Sequence, residues 1–506
     1  MNQKTQDNKK GQQTHLRFAL TCTAFAALLF TCIFFVYQLI VPKFFYDNDW
    51  PTTSTYCGFY QLERHTADVL FFGSSHAASF FIPQELYNSY GITSYNLGCE
   101  QQNLVVSYYW LKEALRCQQP KAVILDCYML FEYNAKEPLN TAESCTRKAM
   151  DFMKWSSVKK EAVKTICALD ENQSLLSYYF PNLRYHTRWK GLFENDFLAG
   201  RRKTHSELKG YAPLAGYCGD SGFAPFERPD GETKTPMVPL MEAYLDKLRL
   251  LCEQNSISLI LVKNPSTAQT AEKSAAIRDY ADRHGLLFLD FNEKSLYEKT
   301  GYRFETDNHD GGHGNLWGAR KVTNYLGHIL KDRSLADSKA SPQWEQTKAY
   351  YKGIQKDCCL THISDLDTYL FQLKDNRYSI FIASKGDCTS FLKQSSAGLL
   401  ARIGCRTNLF ETPGSAFFAV ISGSNITEQT GMEELTTDGT LSDSSVTYEV
   451  LSAAGEGNEK SSIFIDAEER SKNCRGLNFV VYQNDTQRVI DSVCFDTGAD
   501  TNPAVR

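Results

Sequence analysis

The sequence predicts a chain of three parts: an N-terminal apolar helix, an α/β domain with a doubly wound, mostly parallel sheet in three layers, and a separate, mainly β domain. Three observations predict this arrangement. Residues 18–41 contain no charged side chain. Between residues 68 and 330, apolar strand-like runs alternate with amphipathic helical segments, as in doubly wound folds. Beyond residue 365, short β-type runs alternate with turns.

The apolar segment 18–41 is long enough to cross a bilayer, whose core requires about 20 apolar residues in a helix. The basic residues before it are Lys4, Lys9, Lys10 and Arg17, and the charged residues after it include Lys43, Asp47 and Asp49. Because basic flanks stay inside, we expect residues 1–17 to be a cytoplasmic tail. A cleavable signal peptide is the alternative, but no small-residue cleavage site follows. The pattern therefore predicts a single-pass cell-membrane protein whose remaining chain is extracytoplasmic.

The α/β domain is expected over residues 42–340. Its predicted strands are "DVLFFG", "SYNLG", "KAVILDCY", "ISLILVK" and "LLFLDF". Its predicted helices are "PQELYNSY", "NLVVSYYWLKEALRC", "MEAYLDKLRLLCEQN", "TAEKSAAIRDYADRH" and "LWGARKVTNYLGHIL". In such a sheet, ligands bind beyond the carboxyl ends of the strands.

Residues from about 129 to 235 interrupt this alternation and are rich in aromatic and basic residues. We expect a helical insertion over the active-site face. The motif "YHTRW" supplies His186, Arg188 and Trp189 as candidate substrate contacts. The alternative is that these residues anchor the insertion by hydrogen bonds and stacking.

Bulk composition excludes some classes of partner and cofactor. The formal net charge of -5 gives no basic footprint for nucleic acid. The histidines and cysteines show no spacing typical of metal ligands, so neither a metal nor another cofactor is expected.

A serine follows the first predicted strand, in "GSSHA", and can become a nucleophile only if a base takes its proton. "TDNHDGGHGNLWGA" places Asp310 and His313 between the last strand and the last helix. Both the serine and this pair should then lie at the carboxyl edge of the sheet. The pattern favours Ser75 as nucleophile, with His313 as base and Asp310 as the carboxylate that orients it.

Four segments in this order resemble the SGNH (GDSL-like) hydrolases: the Gly73-Ser74-Ser75 block, "SYNLG", "PKAVILD", and Asp310-x-x-His313 followed by "GNLWGA". With the N-terminal anchor, they resemble the membrane-anchored branch that includes the D-alanylation protein DltD and the alginate O-acetylation proteins. The resemblance covers residues 68–330. It implies a flavodoxin-like fold and the catalytic roles given above.

One departure from that family concerns the oxyanion hole. The family's Gly-x-Asn-Asp block is absent, and the third strand ends in "LDCYMLF". Backbone amides of Ser75 and Gly98 could take its place, because oxyanion holes often use main-chain donors. Asn96 and Gln102 are candidate side-chain donors.

The C-terminal region resembles an ILEI-like (interleukin-like EMT inducer) domain, through "SAAG", "SSI", "GLN" and "FDT". The resemblance covers roughly residues 365–500 and implies a compact β fold, some members of which bind carbohydrate. We expect this domain at residues 365–506, after a linker at 341–364.

Together, these patterns predict a membrane-anchored serine O-acyltransferase or esterase acting on a cell-envelope glycan or polymer. A membrane partner could supply the acyl group. The alternatives are a non-catalytic glycan-binding surface protein with a degenerate hydrolase domain, and a secreted carboxylesterase for small esters.

Overall fold

A computed structural model describes residues 3–42, 50–192, 196–197, 206–231, 233–337, 340–441, 446–455 and 457–506. Lys43, Asp47 and Asp49, which flank the predicted membrane segment, lie outside the described residues. The side chains of Lys4, Lys9 and Lys10 are also outside the described set.

The first helix, α1 (Gln3–Ile40), contains the predicted apolar segment. Its stretch His15–Ile40 contains an 18-residue window with a mean hydropathy of 2.3, and none of this window is buried by the rest of the chain. Within the described ranges, it is the one helix long and apolar enough to cross a membrane.

A five-stranded sheet forms the centre of the α/β domain. All of its described pairings are parallel, and the strand order is β2-β1-β3-β4-β5. The strands are β1 (Val69–Phe72), β2 (Ser94–Asn96), β3 (Ala122–Asp126), β4 (Ser258–Lys263) and β5 (Leu287–Asp290). They occupy the five predicted segments, so the parallel α/β sheet is confirmed. The strand order reverses between β1 and β3, where doubly wound sheets bind their ligands.

Helices cover both faces of this sheet. In chain order, the helices before residue 190 are α2 (Thr52–Phe59), α3 (Ser75–Phe80), α4 (Pro83–Tyr90), α5 (Leu104–Ala114), α6 (Glu143–Met150), α7 (Ser157–Leu169), α8 (Leu175–Tyr179) and α9 (Asn182–Tyr185). The helices after residue 230 are α10 (Pro239–Gln254), α11 (Ala271–Arg283), α12 (Lys294–Thr300), α13 (Phe304–Asp307) and α14 (Leu316–Asp332). Short 3₁₀ helices lie at Tyr128–Leu130 and His186–Gly191.

Two apolar cores separate the layers. On one face, Trp110 of α5 is fully buried and stacks on Tyr56 of α2, with ring centroids 4.4 Å apart. On the other face, Phe71 of β1 stacks on Phe81, and α14 packs beside α3 and α4. Because both faces are covered, the strands are apolar along nearly their whole length.

The expected insertion contains α6 to α9, and the described residues 206–231 and 233–238 before α10 are largely irregular. Arg147 of α6 anchors it from within. Its guanidinium donates to Oγ and O of Ser177 at 2.6 and 3.1 Å and lies 3.8 Å from the ring centroid of Tyr178. Arg147 also pairs with Asp151 at 2.8 Å.

A second, mixed sheet of ten strands forms the C-terminal part. Its strands are β6 (Tyr378–Lys385), β7 (Ala416–Ser422), β8 (Asn425–Gly431), β9 (Leu435–Thr440), β10 (Thr447–Ala453), β11 (Lys460–Ile465), β12 (Glu468–Glu469), β13 (Gly476–Gln483), β14 (Arg488–Phe495) and β15 (Ala504–Val505). The order is β12-β11-β10-β6-β13-β14-β15, with β7 and β8 joined at β6 and β9 joined at β10. The separate, mainly β part is thus present.

Four further helices are described after α14. They are α15 (Pro342–Glu345), α16 (Lys348–Leu360), α17 (Leu366–Leu373) and α18 (Gln394–Ile403). The first two fall in the segment expected to be a linker. Tyr351 of α16 donates to Glu85 Oε2 at 2.9 Å, and Glu85 pairs with Arg320 at 3.1 Å. The described part of this segment is therefore packed on the α/β domain.

Candidate active site

The turn after β1 brings a serine to the carboxyl edge of the sheet. Gly73 has φ of 140°, and a Cβ there would lie 2.8 Å from Cβ of Asp126 and 3.1 Å from Cβ of Ala77. Only glycine fits this conformation and space without strain. Ser74 then caps α3, its Oγ accepting the N–H of His76 at 3.3 Å. Ser75 is the first residue of α3 and is 8 % exposed.

The loop before α14 carries the two other predicted groups. Asn308 and Gly314 form a β-bridge, and the N–H of His309 donates to O of His313 at 2.8 Å. Asn315 caps α14 through its side-chain oxygen. The loop is thus closed at both ends, which holds Asp310 and His313 at the same edge as Ser75.

The structure places Ser75, His313 and Asp310 in one hydrogen-bonded chain. Ser75 Oγ lies 2.8 Å from His313 Nε2. His313 Nδ1 lies 2.8 Å from Oδ2 and 3.0 Å from Oδ1 of Asp310. A proton on Nδ1 directed at the carboxylate leaves Nε2 free to accept the serine proton, which is the arrangement that general-base catalysis needs.

Asp310 is held in its ionised form. Burial of Asp310 would raise its pKa, but hydrogen bonds from the His313 ring and from the N–H groups of Gly312 and His313 lower the pKa of this carboxyl well below its usual value. The side chain remains half exposed at 49 %, while that of His313 is 22 % exposed. A carboxylate that stays charged can stabilise the imidazolium that forms during proton transfer.

Two further rings surround the His313 imidazole. The ring of Trp50 lies 4.9 Å from it, and the ring of His76 lies 5.1 Å from it. His76 stacks on Tyr128 at 3.9 Å between centroids. Burial, with Lys263 and His313 nearby, lowers the pKa of His76 well below its ordinary value. His76 is therefore a neutral ring that packs behind the base.

Trp50, Tyr128 and Lys263 are neighbours of the site that sequence reasoning missed. Lys263, at the end of β4, is buried with its Nζ 5.0 Å from the centroid of the Tyr128 ring. Asp126, at the end of β3, accepts a hydrogen bond from Asn264 at 2.8 Å. The sequence did carry a signal for this cluster: the adjacent apolar strands β3 and β4 each end in a polar residue, Asp126 and Lys263.

The candidate oxyanion donors are already engaged. Asn96 Nδ2 donates to the carbonyls of Ala77 and Phe81 at 2.8 and 3.0 Å. The N–H of Gly98 donates to Asn96 Oδ1 at 2.9 Å. Gln102 Nε2 donates within 3.1 Å to Leu97 O and Ser107 Oγ, and its oxygen accepts from Tyr56.

The remaining candidate donor is the backbone N–H of Ser75. As the first residue of α3, Ser75 has no acceptor for this group inside its own helix. No hydrogen bond from it is found in the described part of the chain. The Ser75 N–H is thus the donor best able to stabilise an oxyanion formed at the serine.

The three candidate residues of "YHTRW" lie apart from the hydrogen-bonded chain of Ser75, His313 and Asp310. Arg188 pairs with both oxygens of Asp196 at 2.6 and 2.8 Å and donates to the carbonyl of Ile40 at 3.3 Å. His186 contacts the carbonyl of Leu183 at 2.8 Å. Trp189 is exposed, at 63 %. Of the three, Arg188 joins the insertion to the end of α1.

Asp307 and His309, which lie close to Asp310 in the chain, make other contacts. Asp307 is buried, pairs with Lys321 at 2.6 Å and accepts the N–H of Arg303 at 2.6 Å. The ring of His309 packs against Gly216, where a Cβ would lie 2.7 Å from its Nδ1. Within the described ranges, no three His, Cys, Asp or Glu side chains are grouped as metal ligands.

A cleft of ≈ 790 Å³ opens beside the site, between the α/β part and the β part. Asp310 and Trp50 line it on one side. Arg470, Tyr482 and Gln487 line it on the other. Its wall combines aromatic rings with charged and amide groups, a combination suited to a polar ligand of some size.

The comparisons with known proteins found little similarity. No family model and no curated protein matches the chain. Among solved structures, one from Bacteroides fragilis, named a "putative acylhydrolase", is similar with a TM-score of 0.27 and 12 % sequence identity. The similarity covers 57 % of this chain and 99 % of that chain.

Proposed function

We propose that the chain is a membrane-anchored, extracytoplasmic serine O-acyltransferase or esterase of the SGNH type that acts on a cell-envelope glycan or polymer. The observation that carries the proposal is the hydrogen-bonded path from Ser75 through the ring of His313 to Asp310. These residues come from opposite ends of the α/β domain and meet at the point where its strand order reverses. That is where a sheet of this order binds its ligands.

In the first half-reaction, Ser75 Oγ attacks the carbonyl carbon of an acyl donor while its proton passes to His313 Nε2. Asp310 stabilises the resulting imidazolium, and the Ser75 N–H donates to the oxyanion. Collapse of the tetrahedral intermediate breaks the bond to the leaving group, which takes the proton from His313. The product is an acyl ester on Ser75.

In the second half-reaction, an acceptor hydroxyl gives its proton to His313 Nε2 and attacks the acyl carbon. Ser75 Oγ then leaves and recovers the proton. Transfer and hydrolysis differ only in whether a glycan hydroxyl or water is the acceptor. We favour transfer, with the acyl group supplied by a membrane partner.

The cleft beside Asp310 supports a polymeric acceptor. An extended glycan placed in it would lie between Trp50 on one wall and Tyr482 on the other. Aromatic rings suit the apolar faces of sugars, and the charged and amide groups suit their hydroxyls. In this proposal, the ILEI-like β part holds the glycan, and the α/β part transfers the acyl group.

A second candidate function is glycan binding without catalysis. It is favoured by the engagement of Asn96, Gly98 and Gln102, which leaves one backbone donor for an oxyanion. The geometry at Ser75 favours catalysis over this second candidate, because a binding module needs no serine at 2.8 Å from a histidine that is itself paired with a carboxylate.

Labelling with a fluorophosphonate probe tests the two candidates on the full chain in detergent. The wild-type protein and the neighbouring Ser74→Ala variant should be labelled, and Ser75→Ala should not. Absence of labelling in the wild type, together with tight retention of envelope glycan, would support the binding module instead.

Mass spectrometry of envelope glycans tests the acceptor. Cells carrying Ser75→Ala should lack an acyl substituent that cells with the wild-type chain have. Glycans identical in the two strains, with a labelled wild-type serine, would indicate a hydrolase for a different ester.

A further inference from the structure

The insertion displays apolar side chains on its outer side. We call the following residues the insertion face: Trp155, Leu176, Tyr179, Phe180, Leu183 and Trp189. Leu176 is 60 % exposed and Phe180 58 %. Trp155 and Tyr179 stack with centroids 4.6 Å apart, so the face includes a preformed aromatic pair.

The inner side of the same short helices makes several polar contacts beside the buried ring of Tyr178. Ser177 contacts the buried Arg147, and Tyr185 donates to Asp151 at 3.0 Å. Arg184 pairs with Glu143. A helix on a water-facing surface usually exposes its polar side, whereas the exposed side of this segment is apolar. Exposed apolar patches of this kind mark contact surfaces.

The position of the face indicates what covers it. Arg188 donates to the carbonyl of Ile40, the last residue of α1, and Ile40 is buried at this contact. The insertion thus joins the end of the helix whose apolar surface is exposed along its length. A bilayer crossed by α1 would have its outer interface at this level.

The composition of the face also fits a membrane interface. Tryptophan and tyrosine concentrate where hydrocarbon meets headgroups, and lysine beside them contacts lipid phosphates. Lys190 is exposed, and its Nζ lies 5.7 Å from the centroid of the Trp189 ring.

We propose that the insertion face lies in the interface of the membrane that α1 crosses. The protein would then contact the bilayer twice, through α1 and through the insertion. Two contacts fix the orientation of the α/β domain relative to the membrane, whereas a single helix leaves this orientation free. This inference requires α1 to span the membrane, and it does not depend on the acyl chemistry.

Site-specific photo-crosslinking tests this on the full chain, reconstituted in vesicles of phosphatidylcholine and phosphatidylglycerol. Benzoylphenylalanine replaces Phe180 in the face, Phe30 in α1, or Phe410, an exposed aromatic of the β part. We expect lipid adducts from positions 30 and 180, on the order of tenfold more than from position 410.

A second series separates a lipid contact from chance proximity. With benzoylphenylalanine in place of Leu183, the substitutions Leu176→Gln and Phe180→Gln should lower the yield of lipid adduct. In the variant with benzoylphenylalanine at position 30, the same substitutions should leave the yield unchanged. Both replaced side chains are exposed, so folding should be retained. Adducts at position 180 no higher than at 410, adducts with another protein chain, or no adduct at position 30 would each overturn the proposal.

Discussion

The carboxylate of Asp310 holds both the backbone and the ring of His313. Its Oδ1 accepts the N–H of His313 at 2.9 Å, and its Oδ2 lies 2.8 Å from Nδ1 of the same residue. The spacing of three residues allows one side chain to make both contacts. The carboxylate therefore sets the position of the loop and the tautomer of the base together.

Replacing Asp310 by asparagine should separate these two roles. The amide oxygen of Asp310→Asn can still accept the N–H groups of the loop, but the imidazolium loses its charged partner. We expect hydrolysis of p-nitrophenyl acetate to fall on the order of 10³–10⁴-fold in kcat. An activity within a few-fold of wild type would show that Asp310 has only a structural role.

The low pKa of Asp310 predicts the direction in which pH changes the stability of the fold. A carboxyl with a folded-state pKa below its unfolded value contributes stability that is present above the unfolded pKa and is lost as pH falls through the folded pKa. Asp310 thus stays ionised at mildly acidic pH. The free energy of unfolding of wild type should therefore exceed that of Asp310→Asn most at neutral pH, and the difference should shrink as pH falls below the unfolded pKa of the carboxyl, whereas Glu305→Gln, a variant of an exposed neighbouring acid, should follow wild type.

Gly73→Ala should disable the site through the backbone. The new Cβ meets Asp126 at 2.8 Å in a conformation with φ of 140°, so we expect a loss of stability of about 1–3 kcal/mol and a displaced Ser75. The matched control is Gly398→Ala, in α18, where nothing lies within 4 Å of the added Cβ. Thermal melts should show a lower Tm for the first variant and an equal or higher Tm for the second.

His76 should make the fold sensitive to acid. Its pKa is lowered by burial, so the folded state resists protonation more than the unfolded state does. Stability should fall as pH drops below the unfolded pKa of about 6.5, by up to about 1.4 kcal/mol per pH unit. The charged or titratable groups near His76 are Lys263, His313 and Tyr128.

His76→Phe tests this through its pH dependence. Phenylalanine keeps the stacking on Tyr128 and removes the titrating group. The drop in Tm between pH 7.5 and pH 5.5 should be smaller in the variant than in wild type. Equal drops in the two proteins would assign the acid sensitivity to another group.

Trp50 should restrain the ring of His313. Its removal in Trp50→Ala leaves one side of the imidazole open, and an aromatic contact of this kind is worth about 0.5–1.5 kcal/mol. We expect kcat for p-nitrophenyl acetate to fall by about three- to tenfold, with partial recovery in Trp50→Phe. A change confined to KM would instead indicate that Trp50 contacts substrate.

Apolar runs made the parallel sheet predictable. β1 and β3 are buried on both faces, so their sequences are nearly continuous in apolar residues. The strand β8 could not be predicted in this way, because its side chains alternate between exposed and half-buried positions and "NITEQTG" contains no apolar run. The helices α15 and α16 were missed because their buried residues, such as Trp344, pack against a distant part of the chain.

The candidate site was predictable in part for a similar reason. The Asp-x-x-His spacing is local, so it could be recognised without knowing the fold. The engagement of Asn96 depends on carbonyls of Ala77 and Phe81, which only the turn around α3 brings near. The orientation of the insertion depends on the end of α1, which no local pattern reveals.

The closeness of Trp50 to His313 limits how far the serine can work from the lipid. Ten residues lead from Ile40 to Trp50, and a fully extended chain covers at most about 3.6 Å per residue, or about 36 Å in all. If α1 spans a bilayer and Ser75 is the nucleophile, as proposed, the reaction is confined to a thin zone above that bilayer. Under the proposed function, polymer still held at its site of export would be within reach, and strands deep in the outer wall would not.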